Sequence, residues 1–216
     1  MWPGIPVSLL IGYLLGSIPF SYLAGRLRGV DLREHGSGNL GASNTYRVLG
    51  AGFAVPVLIL DIGKGAAGVI VAGWLAGALG WEPASWCRSA AALGTIAGHI
   101  WTVFLKFRGG KGVATAAGAF LGLTPIPALI SFVVWLLLVV LTRYVSVGSM
   151  IGTLVLPIGV YFVGARPPSV AAASRPEFWL AVIIAVVVLA KHRSNIRRLL
   201  DGNENRLERI RKGATS

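Results

Sequence analysis

The sequence has few charged residues and almost no cysteine. Only 13% of its 216 residues are charged, against roughly 25% in soluble domains, and its mean hydropathy is +0.72. The single cysteine, Cys87, excludes an internal disulfide framework. HExxH and CxxC spacings are also absent, which argues against a metal site. We therefore predict a membrane protein that uses neither a metal nor another cofactor.

Acidic residues are scarce as well, since eight oppose 20 Lys and Arg and leave a formal net charge of +12. In a soluble protein this charge would suggest nucleic acid as a partner. Here the cations lie mostly at the ends of apolar runs, where membrane topology places them. The predicted partner is therefore the lipid bilayer and not nucleic acid. Because the first cation is Arg26, we expect a retained first helix and not a cleaved signal peptide.

Seven apolar runs predict an all-α integral membrane protein. A span needs about 20 residues, and two shorter runs are separated at 124–127, where one kinked helix or two helices could form. Two helices give seven spans with the N-terminus outside and the C-terminus cytoplasmic, which leaves three of the 20 cations outside. Merging them would move Arg143 and the basic C-terminus outside. We predict a single domain over 1–216, with a short basic cytoplasmic tail from about 200. The runs are 2–25, 51–79, 89–106, 113–124, 126–142, 147–165 and 177–191, and the outer cations are Arg88, Arg166 and Arg175.

In this topology four polar segments share the inner face, and hydroxyls, amides, cations and glycines dominate them. Such groups bind phosphate and hydroxyl substrates. The turn Gly109-Gly110-Lys111-Gly112 is the most informative, because three glycines can aim N–H groups at one point beside Lys111. This turn predicts an anion-binding cradle at the membrane edge. The four segments are 35–47, 98–115, 142–149 and 191–199.

Common nucleotide and hydrolase motifs are missing or misplaced. Gly36-x-Gly38-x-x-Gly41 follows no strand, so a dinucleotide site is disfavoured. A Walker A loop would need glycine at Leu105 and Ser or Thr at Gly112. There is no GxSxG around an exposed serine and no His-x4-Asp pair. Abundant anion-binding groups without acid–base machinery fit a substrate that arrives activated, such as an acyl phosphate.

Three ordered segments carry a resemblance to a known family. Residues 37–47, 98–115 and 191–199 closely resemble the bacterial acyl-phosphate glycerol-3-phosphate acyltransferases, and 61–65 and 142–146 are similar too. The resemblance runs nearly end to end, with Ser43 where the family more often has Thr.

The resemblance implies a seven-helix enzyme of the bacterial inner membrane with its site on the cytoplasmic side. It implies acyl transfer from acyl phosphate to the sn-1 hydroxyl of glycerol 3-phosphate, giving lysophosphatidic acid and phosphate in phospholipid biosynthesis. The alternative is a transporter of a phosphorylated solute. A transporter would place polar residues at the membrane midplane and on both sides, whereas here they gather on one side. The oligomeric state is not indicated by the sequence.

The resemblance and the residue types together predict the site. Lys111 is expected to bind a phosphate, and Arg47 to help bind one of the two substrate phosphates. The turn around Lys111 adds Gly109, Gly110 and Gly112. A second donor cradle, for the acyl phosphate, is predicted from Ser37, Gly38, Asn39 and Gly41, with Asn44 beside Arg47.

His192 and Asn195 lie three residues apart, so they would share one helix face, and the resemblance implies that they hold glycerol 3-phosphate near its attacking hydroxyl. His192 or the substrate phosphate could accept the proton. For His99, a structural role and a site role both remain open. Ser146 and Ser149 could contact substrate or cap a helix. Asp61 and Lys64 could act in the site or pair as i,i+3 neighbours, a choice that also stays open.

Overall fold

The computed structural model describes residues 3–163 and 175–207, and every regular element in those ranges is helical. The outer ends of the first and sixth predicted runs, Arg166 and most of the basic tail lie outside the described residues. The α-helices are α1 (Gly4–Ser17), α2 (Phe20–Leu27), α3 (Ala42–Leu49), α4 (Ala51–Leu79), α5 (Ala84–Ile100), α6 (Val113–Leu123), α7 (Pro125–Thr142), α8 (Val145–Val163), α9 (Pro176–Lys191) and α10 (Arg193–Leu200), and a 3₁₀ turn covers Val103–Leu105.

Each predicted apolar run contains a helix, and the run that could have been one kinked helix is two. Thr124 separates α6 from α7 with a non-helical backbone, φ −143° and ψ 78°. Pro125 then begins α7, a position where its missing N–H costs nothing because the first turn leaves N–H groups unbonded in any helix. The proline-rich stretch therefore ends one helix and starts the next.

Four stretches are long and apolar enough to cross a membrane: Gly4–Leu27, Ala51–Leu79, Pro125–Thr142 and Val145–Val163. A fifth candidate combines α9 with α10 across a bend of 54°. By contrast α6 has 11 residues, about half the length of a perpendicular span. Length and composition thus identify an integral membrane bundle with four to five long spans in the described part of the chain.

Small residues let the helices pack with their backbones close together. A Cβ on Gly16 of α1 would clash with the carbonyl of Thr95 on α5, and one on Gly98 of α5 would clash with the carbonyl of Tyr13. Gly118 brings α6 equally close to α4. In lipid, where apolar burial does not drive helices together, such close packing supplies much of the association energy.

The core of the bundle joins the six helices α4 to α9 around Phe120, Ile96 and Val188. Its polar loops converge at one end. The hydroxyl of Thr102, just after α5, donates to the carbonyl of Ser17 at the end of α1 at 2.6 Å. The backbone N–H of Leu207 donates to the carbonyl of Arg143 after α7 at 2.9 Å. These contacts place the functional candidates at a single mouth of the bundle.

Candidate active site

A cavity of about 220 Å³ opens at this mouth, and its lining combines two kinds of side chain. Along α8 the lining extends from Val145 to Leu156, about 16.5 Å at the helical rise of 1.5 Å per residue. The polar lining at the mouth includes Asn39, Arg47, His99, Lys111, Ser146, Ser149, His192, Asn195, Glu204 and Arg206. The apolar lining includes Leu58, Ile62, Val113, Ala116, Phe120, Phe132, Trp135 and Leu156. The cavity can therefore receive a molecule with an anionic head and an apolar chain.

A hydrogen-bonded network connects Lys111 to the segment that follows α10. Lys111 Nζ donates to Asn195 Oδ1. Asn195 Nδ2 donates to Glu204 Oε1 at 2.6 Å, and Ser146 Oγ lies 2.9 Å from the same oxygen. Arg198 Nε donates to Glu204 Oε2 at 2.7 Å. Three predicted site residues thus meet around a carboxylate that the sequence analysis did not assign.

Charge and burial adjust the titration of this network. Burial, with the neighbouring cations Arg198 and Arg47, lowers the pKa of Lys111 to about 8, and the negative charge of Glu204 opposes that shift. Burial alone would raise the pKa of Glu204, but hydrogen bonds from Asn195, Ser146 and Arg198 bring that pKa below its usual value. At neutral pH the site therefore holds a charged ammonium beside a charged carboxylate.

His192 follows the last residue of α9, where the chain bends into α10. Its ring is buried and lines the cavity. Nδ1 lies 2.8 Å from the carbonyl of Val188, and since a carbonyl only accepts, Nδ1 carries the proton. The neutral ring then has Nε2 unprotonated and able to accept a hydrogen bond. The predicted pair with Asn195 is brought together at the cavity wall, although the bend falls between the two residues.

The turn at 109–112 presents one side chain and packs its glycines against α5. The N–H of Gly109 donates to the carbonyl of Ile100 at 3.1 Å, and that of Gly110 to the carbonyl of His99 at 3.0 Å. These two glycines do not line the cavity, whereas Lys111 and Gly112 do. This differs from the expected phosphate cradle, because the N–H groups of Gly109 and Gly110 already have partners at the end of α5.

Asn44 organises the loop before α3 and does not line the cavity. Its side chain is 1% exposed. Its amide nitrogen donates to the carbonyls of Leu32 and His35 at 3.1 and 3.0 Å, and its oxygen accepts the N–H of Ser37 at 2.8 Å. The amide is thus occupied mainly by backbone, and its oxygen also accepts from Arg47 Nη1 at 3.4 Å. Of these two residues, which were expected to act together, Arg47 is the one that lines the cavity.

The rest of this loop divides between cavity and solvent. Asn39 and Gly41 line the cavity. Ser37 is exposed, and Gly38 has a left-handed backbone with φ +68°; neither is part of the cavity lining. The predicted second cradle is therefore represented at the cavity wall by its C-terminal half.

Three buried ionisable residues stand behind the turn at 109–112. Lys64 Nζ lies 2.8 Å from Asp61 Oδ1, so the two are paired, and it also donates to the carbonyl of Ile18 at 2.8 Å. His99 Nδ1 lies 3.5 Å from the same Asp61 oxygen. A Cβ on Gly110 would clash with the His99 ring. His99 thus lines the cavity and also supports the turn that carries Lys111.

Glu204 is the site residue that sequence reasoning missed, along with Arg198 and Arg206. The sequence predicts a short basic cytoplasmic tail from about 200 and assigns no site residue to it. One signal was present: Glu204 is an acid in a strongly basic stretch shortly after the third motif. For metals, residues 3–163 and 175–207 place no group of three His, Cys, Asp or Glu side chains together.

Comparison with known proteins places this geometry in a family. A family model described as glycerol-3-phosphate acyltransferase matches residues 6–202. The chain belongs to this family. The glycerol-3-phosphate acyltransferase of Geobacter sulfurreducens is 42% identical over 92% of this chain and 95% of its own length. That of Halalkalibacterium halodurans is 44% identical over 93% and 95%.

Solved structures agree with the family assignment. The crystal structure of PlsY (YgiH), an integral membrane glycerol 3-phosphate acyltransferase, in its glycerol 3-phosphate form matches with a TM-score of 0.82 and 37% identity. The match covers 94% of this chain and 96% of that one. The lysophosphatidic acid form of PlsY matches with a TM-score of 0.79. The acyltransferase family resemblance noted in the sequence is therefore confirmed, and the bundle is that of an integral membrane protein.

Proposed function

We propose that the protein transfers an acyl group from acyl phosphate to the sn-1 hydroxyl of glycerol 3-phosphate, giving lysophosphatidic acid and phosphate. The observation that carries the proposal is the single cavity that joins a cationic, hydrogen-bonding mouth to an apolar interior. Family membership and the names of the relatives support the same acceptor. The donor is proposed from the chemistry of the mouth, which is rich in anion-binding groups and poor in nucleophile–base pairs.

The reaction requires positioning and charge stabilisation more than covalent catalysis. The acceptor hydroxyl oxygen attacks the acyl carbon, the bond between that carbon and the phosphate oxygen breaks, and phosphate departs. The proton of the hydroxyl passes to the departing phosphate or to Nε2 of His192. Lys111 and Arg47 would stabilise the charge that grows on the leaving phosphate, which is where fixed donors contribute most.

The remaining site residues are proposed to orient the two substrates. The acyl chain would lie along the apolar lining between α4, α6, α7 and α8. Asn195 and Ser146 would hold the glycerol 3-phosphate, with Ser149 and His99 beside them. The acyl phosphate would meet the loop that contains Ser37, Gly38, Asn39 and Gly41, shaped by Asn44. The turn glycines Gly109, Gly110 and Gly112 would set the position of Lys111.

We further propose the membrane arrangement that the charges favour. The seven apolar helical regions would cross the bacterial inner membrane as one domain, with the N-terminus outside and the C-terminal tail in the cytoplasm. Of these regions α6, with 11 residues, has about half the length of a perpendicular span. The mouth of the cavity would then open to the cytoplasm, where phosphorylated substrates are found. A reporter fused to the C-terminus tests this arrangement, since a periplasmic signal would contradict it.

The decisive experiment is a two-substrate assay with purified protein in detergent or nanodiscs. Palmitoyl phosphate and radiolabelled glycerol 3-phosphate are supplied with EDTA and without acyl-CoA or acyl carrier protein, and lysophosphatidic acid is the expected product. Parallel assays replace palmitoyl phosphate with palmitoyl-CoA or palmitoyl carrier protein, and product formed only with one of these would contradict the proposed donor. No product from any donor would contradict the acyl transfer itself.

A further inference from the structure

The segment after α10 folds back over the mouth of the cavity and carries Glu204 into it. The N–H of Asn203 donates to the carbonyl of Arg198 at 2.7 Å. On the other side, Arg206 Nε donates to the hydroxyl of Tyr144 at 2.7 Å, and its guanidinium lies 4.9 Å from the centre of that ring. Glu204 is thus anchored from both directions, which gives its carboxylate a defined position.

The bonds of that carboxylate determine how Asn195 is oriented. A side-chain amide has one oxygen that accepts and one nitrogen that donates. Lys111 can only donate and the Glu204 carboxylate can only accept, so one of the two amide orientations satisfies both. Without the carboxylate, the amide could turn its nitrogen toward the ammonium of Lys111. Glu204 therefore acts on Lys111 through Asn195.

The negative charge of Glu204 also favours the charged form of Lys111. Arg198 and Arg47 disfavour the protonated form of Lys111, and Glu204 favours it. The other ionisable groups that line the cavity are His192 from the end of α9, His99 from α5, Asp61 from α4 and Arg206 after α10. The other carboxylate among these groups, Asp61, is already paired with Lys64. Glu204 is consequently the carboxylate that balances the cations around Lys111.

We propose that Glu204 is a positioning residue for acyl transfer, which orients the Asn195 amide and thereby holds the charged Lys111 Nζ where a substrate phosphate binds. This inference rests on the proposed acyl transfer and adds a residue from the segment that follows the third motif. Its bonding partners in the structure are Asn195, Ser146 and Arg198, not Lys111 or Arg47. Neither of the two cations assigned to the phosphate is therefore bound directly by the carboxylate.

The test compares two variants. Glu204→Gln removes the charge and places an amide nitrogen, which can only donate, opposite Arg198 or Asn195. Glu204→Asp keeps the negative charge but places the carboxylate farther from Asn195, because its side chain is shorter. Glu82→Gln is the matched control, because Glu82 is an exposed carboxylate between α4 and α5, at the opposite ends of those helices from the mouth. For each variant kcat and KM for glycerol 3-phosphate are measured between pH 6 and 9.5, together with the melting temperature in detergent.

We expect Glu204→Gln to lower kcat/KM by about 10- to 100-fold, Glu204→Asp to lower it less, and Glu82→Gln to leave it unchanged. The alkaline limb of the kcat/KM profile should move to lower pH in Glu204→Gln, because Lys111 loses its neighbouring negative charge. A purely structural role would leave that limb in place. If Glu204→Gln unfolds, Glu204→Asp provides the test instead. The alkaline limb of its kcat/KM profile should also move to lower pH, by a smaller amount.

Two results would overturn the inference. One is wild-type kcat/KM and an unmoved alkaline limb in the folded variants. The other is a lower KM for glycerol 3-phosphate in Glu204→Gln, which would mean that the carboxylate competes with substrate for the site. Inactivity of the wild-type protein with acyl phosphate would instead contradict the proposed function, so the two failures are distinguishable.

Discussion

Two glycine-rich segments lie side by side at the cavity mouth, where a Cβ on Gly110 would clash with the carbonyl of Leu40, and they are held in different ways. The loop at 32–44 is stabilised from within, since the buried Asn44 amide binds the backbone of Leu32, His35 and Ser37. Its Gly36 and Gly38 have left-handed backbones with φ +64° and +68°. The turn at 109–112 is stabilised from outside, because Gly109 and Gly110 lie against the end of α5. At Gly38 the loop needs a left-handed backbone conformation, and at Gly110 the turn needs space.

The glycines therefore have a different role from the groups that face the cavity. The turn contributes the ammonium of Lys111 to the cavity, whereas the loop contributes Asn39, Gly41 and, just beyond it, Arg47. The glycines of both segments chiefly set where those groups lie. The two segments should therefore respond differently to the same kinds of substitution.

The largest effect is expected where the turn presents its charge. Lys111→Met should lower kcat/KM by roughly 30- to 1000-fold, because it removes a charge-assisted contact worth about 2–4 kcal/mol in the transition state. Lys111→Arg should fall between Met and wild type, since its planar fork cannot reproduce a point charge. The melting temperature in detergent should stay close to that of the wild type. If Lys111→Met kept kcat/KM within threefold of the wild-type value, the turn would not be part of the phosphate site.

A pH dependence should follow from the same side chain. The pKa of Lys111 is about 8, so the free protein loses the ammonium as pH rises through that value. Below it kcat/KM should be flat, and above it kcat/KM should fall by about tenfold per pH unit, because this ratio reports the free enzyme. The measurement is an initial-rate series from pH 6 to 9.5. In Lys111→Arg the guanidinium stays charged, so persistence of the same alkaline limb there would assign it to another group.

The next largest effect is expected at Gly110, where the turn leaves no space for a side chain. A Cβ on Gly110 would clash with the His99 ring and with the carbonyl of Leu40, so Gly110→Ala should displace the turn at a cost of about 1–3 kcal/mol. Both the melting temperature and kcat/KM should fall. Gly52→Ala is the matched control, because a Cβ there meets nothing within 4 Å. Equal melting temperatures for the two variants would show that the turn tolerates a side chain.

The sequence predicted the parts of this comparison that depend on composition along the chain. Apolar runs predicted the helices. At 124–127 the two prolines left one kinked helix or two helices open, and the distribution of cations favoured two. The basic and hydroxyl-rich segments predicted one shared polar mouth. These features follow from local chemistry, because a run of apolar residues needs a helix in lipid wherever it lies.

The roles of Asn44, Gly110 and Glu204 depended on neighbours distant in sequence. An asparagine amide can serve a substrate or a backbone carbonyl equally well, and which one it meets is decided by how the loop folds. The turn glycines look like a phosphate cradle until α5 is known to occupy their N–H groups. The residue pattern could not supply these contacts, since they arise from the packing of α5, α10 and the loops.

The smallest effect is expected at Gly38, whose backbone is left-handed. Substitutions there distinguish the two segments most clearly. Gly38→Ala should cost about 1–2 kcal/mol, because an L-residue is strained in the left-handed region. Asparagine tolerates that region better than alanine, so Gly38→Asn should recover part of the lost melting temperature. At Gly110 the limit is space, and the larger asparagine should be worse than alanine. If asparagine proved better than alanine at both positions, conformation would govern the turn at Gly110 as well, and the contrast between the two segments would disappear.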